Sequence, residues 1–143
     1  MHLHASPESA QAFYQQYRDA GPVVMLNLLC YRPEADYSDA PELSTGDTPS
    51  GQAAYNTYMK AVAPIIAEAG GELLYFGKAD RFLIGPVDEH WDAVLLVRYP
   101  SAKAFVGMAQ SEAYRKVAGH RTAALQDSRL LPSSPLRVES GEK

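Results

Sequence analysis

The stretch from Trp91 to Leu131 constrains this chain most, because it joins a strand, a stop, two helical segments and a second strand with little between them. Val94, Leu95, Leu96 and Val97 form an unbroken apolar run ended by Tyr99-Pro100. Such a run suits a strand covered on both faces. Ser101 is placed to cap a helix in which Phe105, Met108, Tyr114 and Val117 recur at roughly helical spacing, and Ser111 re-caps the chain if the helix breaks near Gly107. His120 and Arg121 stand at the far end, just past Gly119, and Leu130-Leu131 reads as a last short strand after a break at Asp127-Ser128.

The preceding ninety residues supply partners for that unit. Ser6-Pro7-Glu8 starts a helix that runs to Gly21, with Phe13 and Tyr17 on one face as an aromatic stripe. Pro22 to Leu29 is a first strand, apolar except for Asn27. A buried amide without partners costs about 1 to 3 kcal/mol, so Asn27 is either a structural group satisfying backbone or a donor–acceptor pair aimed into a cavity. Cys30 to Ser50 is long and rich in proline and acid, and reads as a flexible, solvated flap. Its carboxylates lack the alternation and closing Glu of a calcium loop, so no metal is expected there.

A second helix is expected from Pro49 or Gly51 to Ala69, with Tyr55, Tyr58, Met59, Val62, Ile65 and Ile66 on one face, a kink at Pro64 and a stop at Gly70-Gly71. Tyr55 and Tyr58 either fill the core or line a small polar site. Glu72 to Ile84 reads as a long strand broken by a bulge near Gly77, and the tail from Pro132 as disordered or as an arm.

Leaving aside the first helix, the order is βαββαβ, the ferredoxin-like α+β arrangement with a four-stranded antiparallel sheet ordered 4-1-3-2. We read a single domain over 1–143, with its core at 22–131, an added N-terminal helix at 5–20, a flexible acidic loop at 31–50 and a tail at 132–143. Helices cover one face of such a sheet. The other face is apolar too, so a second copy of the chain is the expected partner. Strand direction then collects Asn27, Tyr31, Tyr55, Tyr58, Trp91 and His120 at one edge, together with His90 and Arg121. Arg98 falls at the opposite end.

Composition narrows the partners. With 17 acidic and 13 basic residues and no basic cluster, the net charge of −4 offers nothing to a phosphate backbone, so nucleic acid is not expected. No apolar run approaches membrane-spanning length, and no export signal opens the chain. The single cysteine, Cys30, is expected to permit neither an internal disulfide nor a thiolate zinc site, and it points to the cytoplasm.

The segments GQAAYNTYMKAVAPIIAEAGGELLYFGKAD, WDAVLLVRYPSAKAFVGMAQSEAY and HRTAALQDSRL together resemble the family known as domain of unknown function 1330, within the dimeric α+β barrel superfamily. The resemblance spans about residues 22–131. It implies a ferredoxin-like subunit whose sheet packs on that of a partner, and it brings no established activity. Members across the superfamily include cofactor-independent monooxygenases, isomerases, haem-dependent enzymes and binding proteins. The 5–20 helix and the acidic flap depart from the family's compact form.

For chemistry, His120 is the residue suited to proton transfer near neutral pH; the competing reading is a helix-end imidazole favoured by the dipole. Nothing else in the chain asks for haem, and a zinc site from His90, His120 and a carboxylate lacks motivation. No serine-nucleophile, phosphate-loop or dinucleotide motif is present. We therefore expect no metal and no cofactor. Two readings stay open. In one, a cofactor-independent enzyme, monooxygenase- or isomerase-like, acts on a small aromatic or apolar organic molecule held by Asn27, Tyr31, Tyr55, Tyr58, Trp91 and Arg121 while His120 moves a proton. In the other, the chain is a non-catalytic binding or scaffold dimer.

Overall fold

Between residues 23 and 133 the chain follows the expected order of elements, and the structure, a computed structural model, describes residues 1–137. The elements are α1 (Pro7–Tyr17), β1 (Val23–Tyr31), a 3-10 turn (Pro41–Leu43), α2 (Gly51–Glu68), β2 (Glu72–Lys78), β3 (Ala93–Tyr99), α3 (Ala102–Ala109), α4 (Glu112–Ala124) and β4 (Leu125–Ser133). The four strands pair antiparallel in the order β2-β3-β1-β4, which is the ferredoxin-like order 4-1-3-2 read from the other edge. No helix among the described residues is long and apolar enough to cross a membrane.

The apolar runs of β1 and β3 resolve into two faces. Val23, Met25, Asn27 and Leu29 alternate with Val24, Leu26 and Leu28, and Ala93, Leu95, Val97 and Tyr99 alternate with Val94 and Leu96. The first set of each strand is buried against the helices; the second is half-buried on the bare side of the sheet.

Serine starts each of the four α-helices among the described residues. Ser6, Ser50, Ser101 and Ser111 each accept a hydrogen bond from the backbone N–H three residues on, at 3.0 to 3.1 Å, satisfying a donor the helix leaves free. The break between α3 and α4 therefore falls at Ser111 rather than Gly107.

Gly51 lets three elements meet. Its N–H donates to Arg32 O at 3.0 Å, and Arg32 N–H donates to Ala124 O at 2.8 Å, so the end of β1, the start of α2 and the end of α4 are tied together. A Cβ at position 51 would collide with the carbonyl oxygens of both Arg32 and Ala124.

Several boundaries differ from the sequence expectation. The first helix stops at Tyr17, short of Gly21. β2 ends at Lys78 rather than reaching Ile84; an isolated bridge between Arg81 and His90 closes a protruding hairpin, which leaves Leu83 and Ile84 99% and 91% exposed. The last strand begins directly after α4, so Asp127-Ser128 is no break. Pro132 pairs with Met25 inside it, which an edge strand tolerates because its outward side needs no N–H. The remainder of the expected tail, 138–143, lies outside the described residues.

The acidic segment is not a free flap. Ala35 N–H bonds to Pro49 O and Asp36 N–H to Ala123 O, both at 2.9 Å, while Ala40 is buried where it meets Gly119 of α4.

Candidate functional site

The residues expected at one edge separate into distinct groups. Tyr31, Tyr55 and Tyr58 do come together: ring centroids lie 5.8 Å apart for Tyr31 and Tyr55 and 5.3 Å for Tyr55 and Tyr58. The Tyr58 hydroxyl shares a 2.9 Å hydrogen bond with the Tyr114 hydroxyl of α4. Burial pushes the phenols of Tyr55 and Tyr58 well above their ordinary range, and the Arg121 guanidinium beside Tyr55 partly opposes the shift. Arg121 also donates to Leu3 O at 3.1 Å, so it bridges the N-terminal segment to this cluster.

Asn27 is buried on the helix side of β1. Its amide nitrogen lies 3.4 Å from Leu95 O and 3.5 Å from Met25 O, both long for hydrogen bonds. His120 is elsewhere: its Nδ1 lies 2.8 Å from the Tyr37 hydroxyl, and the two rings meet edge to face. Burial lowers the imidazole pKa, so it stays neutral to lower pH than a free histidine. The flap thus occupies the face of α4 that His120 presents, and the expected convergence of His120 with Asn27 and the tyrosines does not occur.

Trp91 forms a further group. It is 5% exposed, with the Arg129 guanidinium 4.9 Å from its ring centroid and its indole N–H without a partner among the described residues. A cleft of ≈ 270 Å³ runs past it, bordered by Cys30, His90, Asp127 and Arg129. Burial, then the carboxylates of Asp92 and Asp127, raise the Cys30 pKa.

A second cleft, of ≈ 320 Å³, opens between the start of α2 and the end of β2. Tyr31, Phe76, Gly77, Ala79 and Ala93 line it, and Gln52, Asn56, Lys78 and Asp92 supply its polar groups. Phe76 leans on Tyr55, with centroids 6.2 Å apart, so the buried phenol cluster backs this cleft. Asp92 Oδ2 accepts the Tyr31 N–H at 2.7 Å, while burial and then the Asp92 charge raise the Tyr31 phenol pKa. Neither Asn27 nor His120 lines either cleft.

Sequence reasoning passed over Gln52, Asn56, Phe76, Lys78 and Asp92. The available signal was positional. Gln52 and Asn56 are one turn apart at the start of α2, and Asp92 is the polar residue immediately before an apolar strand.

A profile of the family described as Domain of unknown function (DUF1330) matches residues 48–131. Two crystal structures of a protein of unknown function from Rhodopseudomonas palustris, one of them methylated, resemble the chain throughout. The methylated form is 39% identical, with 95% of this chain and 96% of that one covered and a TM-score of 0.84. The other is 38% identical, with 96% and 98% covered and a TM-score of 0.83. A dimeric protein of unknown function with a ferredoxin-like fold from Bacteroides fragilis is 11% identical over 79% of this chain and 95% of that one, at a TM-score of 0.49, too distant to carry any argument. No curated protein matches the chain.

Proposed function

The chain belongs to the DUF1330 family, and from that premise we propose that it works as a homodimer, each subunit of which binds a small planar organic molecule in the cleft between Tyr31 and Phe76. The observation that carries this reading is the composition of the ≈ 320 Å³ cleft: two aromatic walls backed by a buried phenol, with amides, an ammonium and a carboxylate around them. That volume lies at the lower end of ligand pockets. The walls suit an aromatic ring by offset or edge contact, and Lys78, Gln52 and Asn56 suit an oxygen-bearing substituent such as a carboxylate or phenol.

Holding a ligand is favoured over turning it over. His120, the expected proton carrier, is hydrogen-bonded to Tyr37 under the flap and borders neither cleft. We assign it the task of pinning the 31–50 segment. Asn27, Tyr55, Tyr58 and Arg121 act from behind the cleft as its rigid support, and Trp91 belongs to the neighbouring cleft. The lone thiol of Cys30 fits a reducing compartment such as the cytoplasm.

The dimer reading rests on the bare face of the sheet. Register places Leu131, Leu26, Leu96 and Tyr75 in one row across all four strands, with Leu28 and Val94 in the next row and the Tyr75 ring laid against Gly77. Leu131 and Tyr75 are 61% and 55% exposed. Polar residues flank these rows, with Glu72, Arg98 and Ser133 at one end and Asp127 at the other, and Arg129 ends the Leu28 row at the β4 edge. An apolar centre inside a polar rim is the anatomy of a protein interface.

Thermal shift against a panel of hydroxybenzoates and matched aliphatic acids tests the binding reading. At a concentration roughly a hundred times Kd, a binder stabilises the fold by about 2.7 kcal/mol. The expected result is stabilisation by aromatic acids that is lost in Phe76→Ala and kept in His120→Ala. Stabilisation by no compound, or its persistence in Phe76→Ala, overturns the site. Consumption of a bound compound that stops in His120→Ala would restore the enzyme reading.

A further inference from the structure

Three side chains of different kinds meet at the rim where β1 ends and β3 begins. Cys30 is the penultimate residue of β1. Asp92 precedes β3 and is locked beside it: Asp92 N–H donates to Leu29 O at 2.7 Å, and its Oδ2 accepts the Tyr31 N–H at 2.7 Å. His90 sits two residues earlier, fixed through its bridge to Arg81, with Nε2 3.6 Å from Asp92 Oδ1. One sulfur, one ring nitrogen and one carboxylate oxygen from these residues all lie within 4.8 Å of one another.

From this juxtaposition we propose that Cys30, His90 and Asp92 form a site for a thiophilic divalent cation, Zn²⁺ by the character of its donors. Zinc binds thiolate, imidazole and carboxylate at about 2.0 to 2.3 Å, so tetrahedral ligand atoms stand roughly 3.3 to 3.8 Å apart by that geometry. The observed separations need only a small closing movement. The side chain best able to supply it is His90, which is exposed and carried on a hairpin. The carboxylate is already oriented: one Asp92 oxygen is held by a backbone N–H, as a supporting shell holds a metal ligand, while the other faces the histidine.

The donor set excludes Mg²⁺ and Ca²⁺, which take oxygen ligands. The surroundings favour a cation. Asp88, Glu89 and Asp127 border the same cleft; of these Asp127 is already paired to Arg129 at 2.8 Å. Three protein ligands leave one position open, and two of the three, Cys30 and His90, border the ≈ 270 Å³ cleft that Trp91 also borders. A closed structural zinc site has four protein ligands, whereas three with an exchangeable position is the arrangement that admits water or a small anion. This inference does not rest on the ligand proposed for the Tyr31–Phe76 cleft, although Asp92 borders that cleft as well.

The test is titration of the purified, reduced full-length protein with Co²⁺, whose bond to a thiolate gives a charge-transfer absorption, followed by displacement with Zn²⁺. The expected result is one Co²⁺ per chain with that absorption, displaced by Zn²⁺ and untouched by excess Mg²⁺. It should vanish in Cys30→Ser, and affinity should fall at least roughly tenfold in His90→Ala and in Asp92→Asn, since even outer-shell losses cost 10- to 100-fold. His90 is exposed on its hairpin, so that variant reports on the site without burdening the fold. The His2→Ala, His4→Ala double variant should bind as the parent does. Absence of the absorption, its survival in Cys30→Ser, or its loss in the His2, His4 variant overturns the assignment.

Discussion

At the scale of single residues, two positions bear disproportionate weight. Gly51 is required because no side chain fits between the carbonyls of Arg32 and Ala124. Gly51→Ala should therefore cost about 1 to 3 kcal/mol, as forced overpacking does, measured by urea unfolding. His120 contributes through its bond to Tyr37, and Tyr37→Phe should cost about 0.5 to 1.5 kcal/mol. The same histidine gives stability a pH dependence. Its folded pKa lies below the unfolded value, so the unfolded chain takes up the proton first. The stability it contributes is complete above about pH 6.5 and declines as pH falls through the unfolded value toward the folded one. Unfolding midpoints at about pH 7.5 and 5.5 should differ more in the parent than in His120→Asn; equal differences would remove this role. Residue type alone marked Asn27 and His120 as exceptional, but not where they point. Which face of α4 meets the flap depends on how Ala40 and Leu43 seat against Gly119, a contact between segments some eighty residues apart with no signature in either.

At the scale of elements, apolar period and capping serines carried most of the information. The continuous runs in β1 and β3, the Ser-capped helices and Pro64 inside α2 are local features, and local features are legible in sequence. What was not legible depended on pairing. Phe82-Leu83-Ile84 has strand composition yet lies beyond the reach of β3, and Leu125 joins the sheet because Tyr31 lies beside it. The flap illustrates the same limit, since proline and acid content describe its solvated side and not the few residues that anchor it. Its seat on α4 is testable. A Cβ on Gly119 would come within 2.7 Å of Ala40 Cβ and 2.8 Å of Leu43 Cδ1. Gly119→Ala gains about 1 kcal/mol of helix propensity while displacing the segment. Limited proteolysis should cut faster between residues 38 and 48 in this variant with far-UV circular dichroism unchanged; an unaltered cleavage rate would mean the contact does not hold the segment.

At the scale of the molecule, the proposed pairing of two chains depends on the bare side of the sheet. Its central residues are as apolar as the buried side, and a solvated sheet face would read as alternating polar positions instead. Both clefts lie at the end of the sheet where β1 finishes and β3 starts, beside the rows that a second copy would cover. The most direct measurement is sedimentation equilibrium of the parent and of the Leu26→Asp, Leu96→Asp variant at matched concentrations. The expected result is twice the 15.6 kDa chain mass for the parent and a single, folded chain mass for the variant. A parent that sediments as one chain, or a doubly charged face that still dimerises, would contradict it.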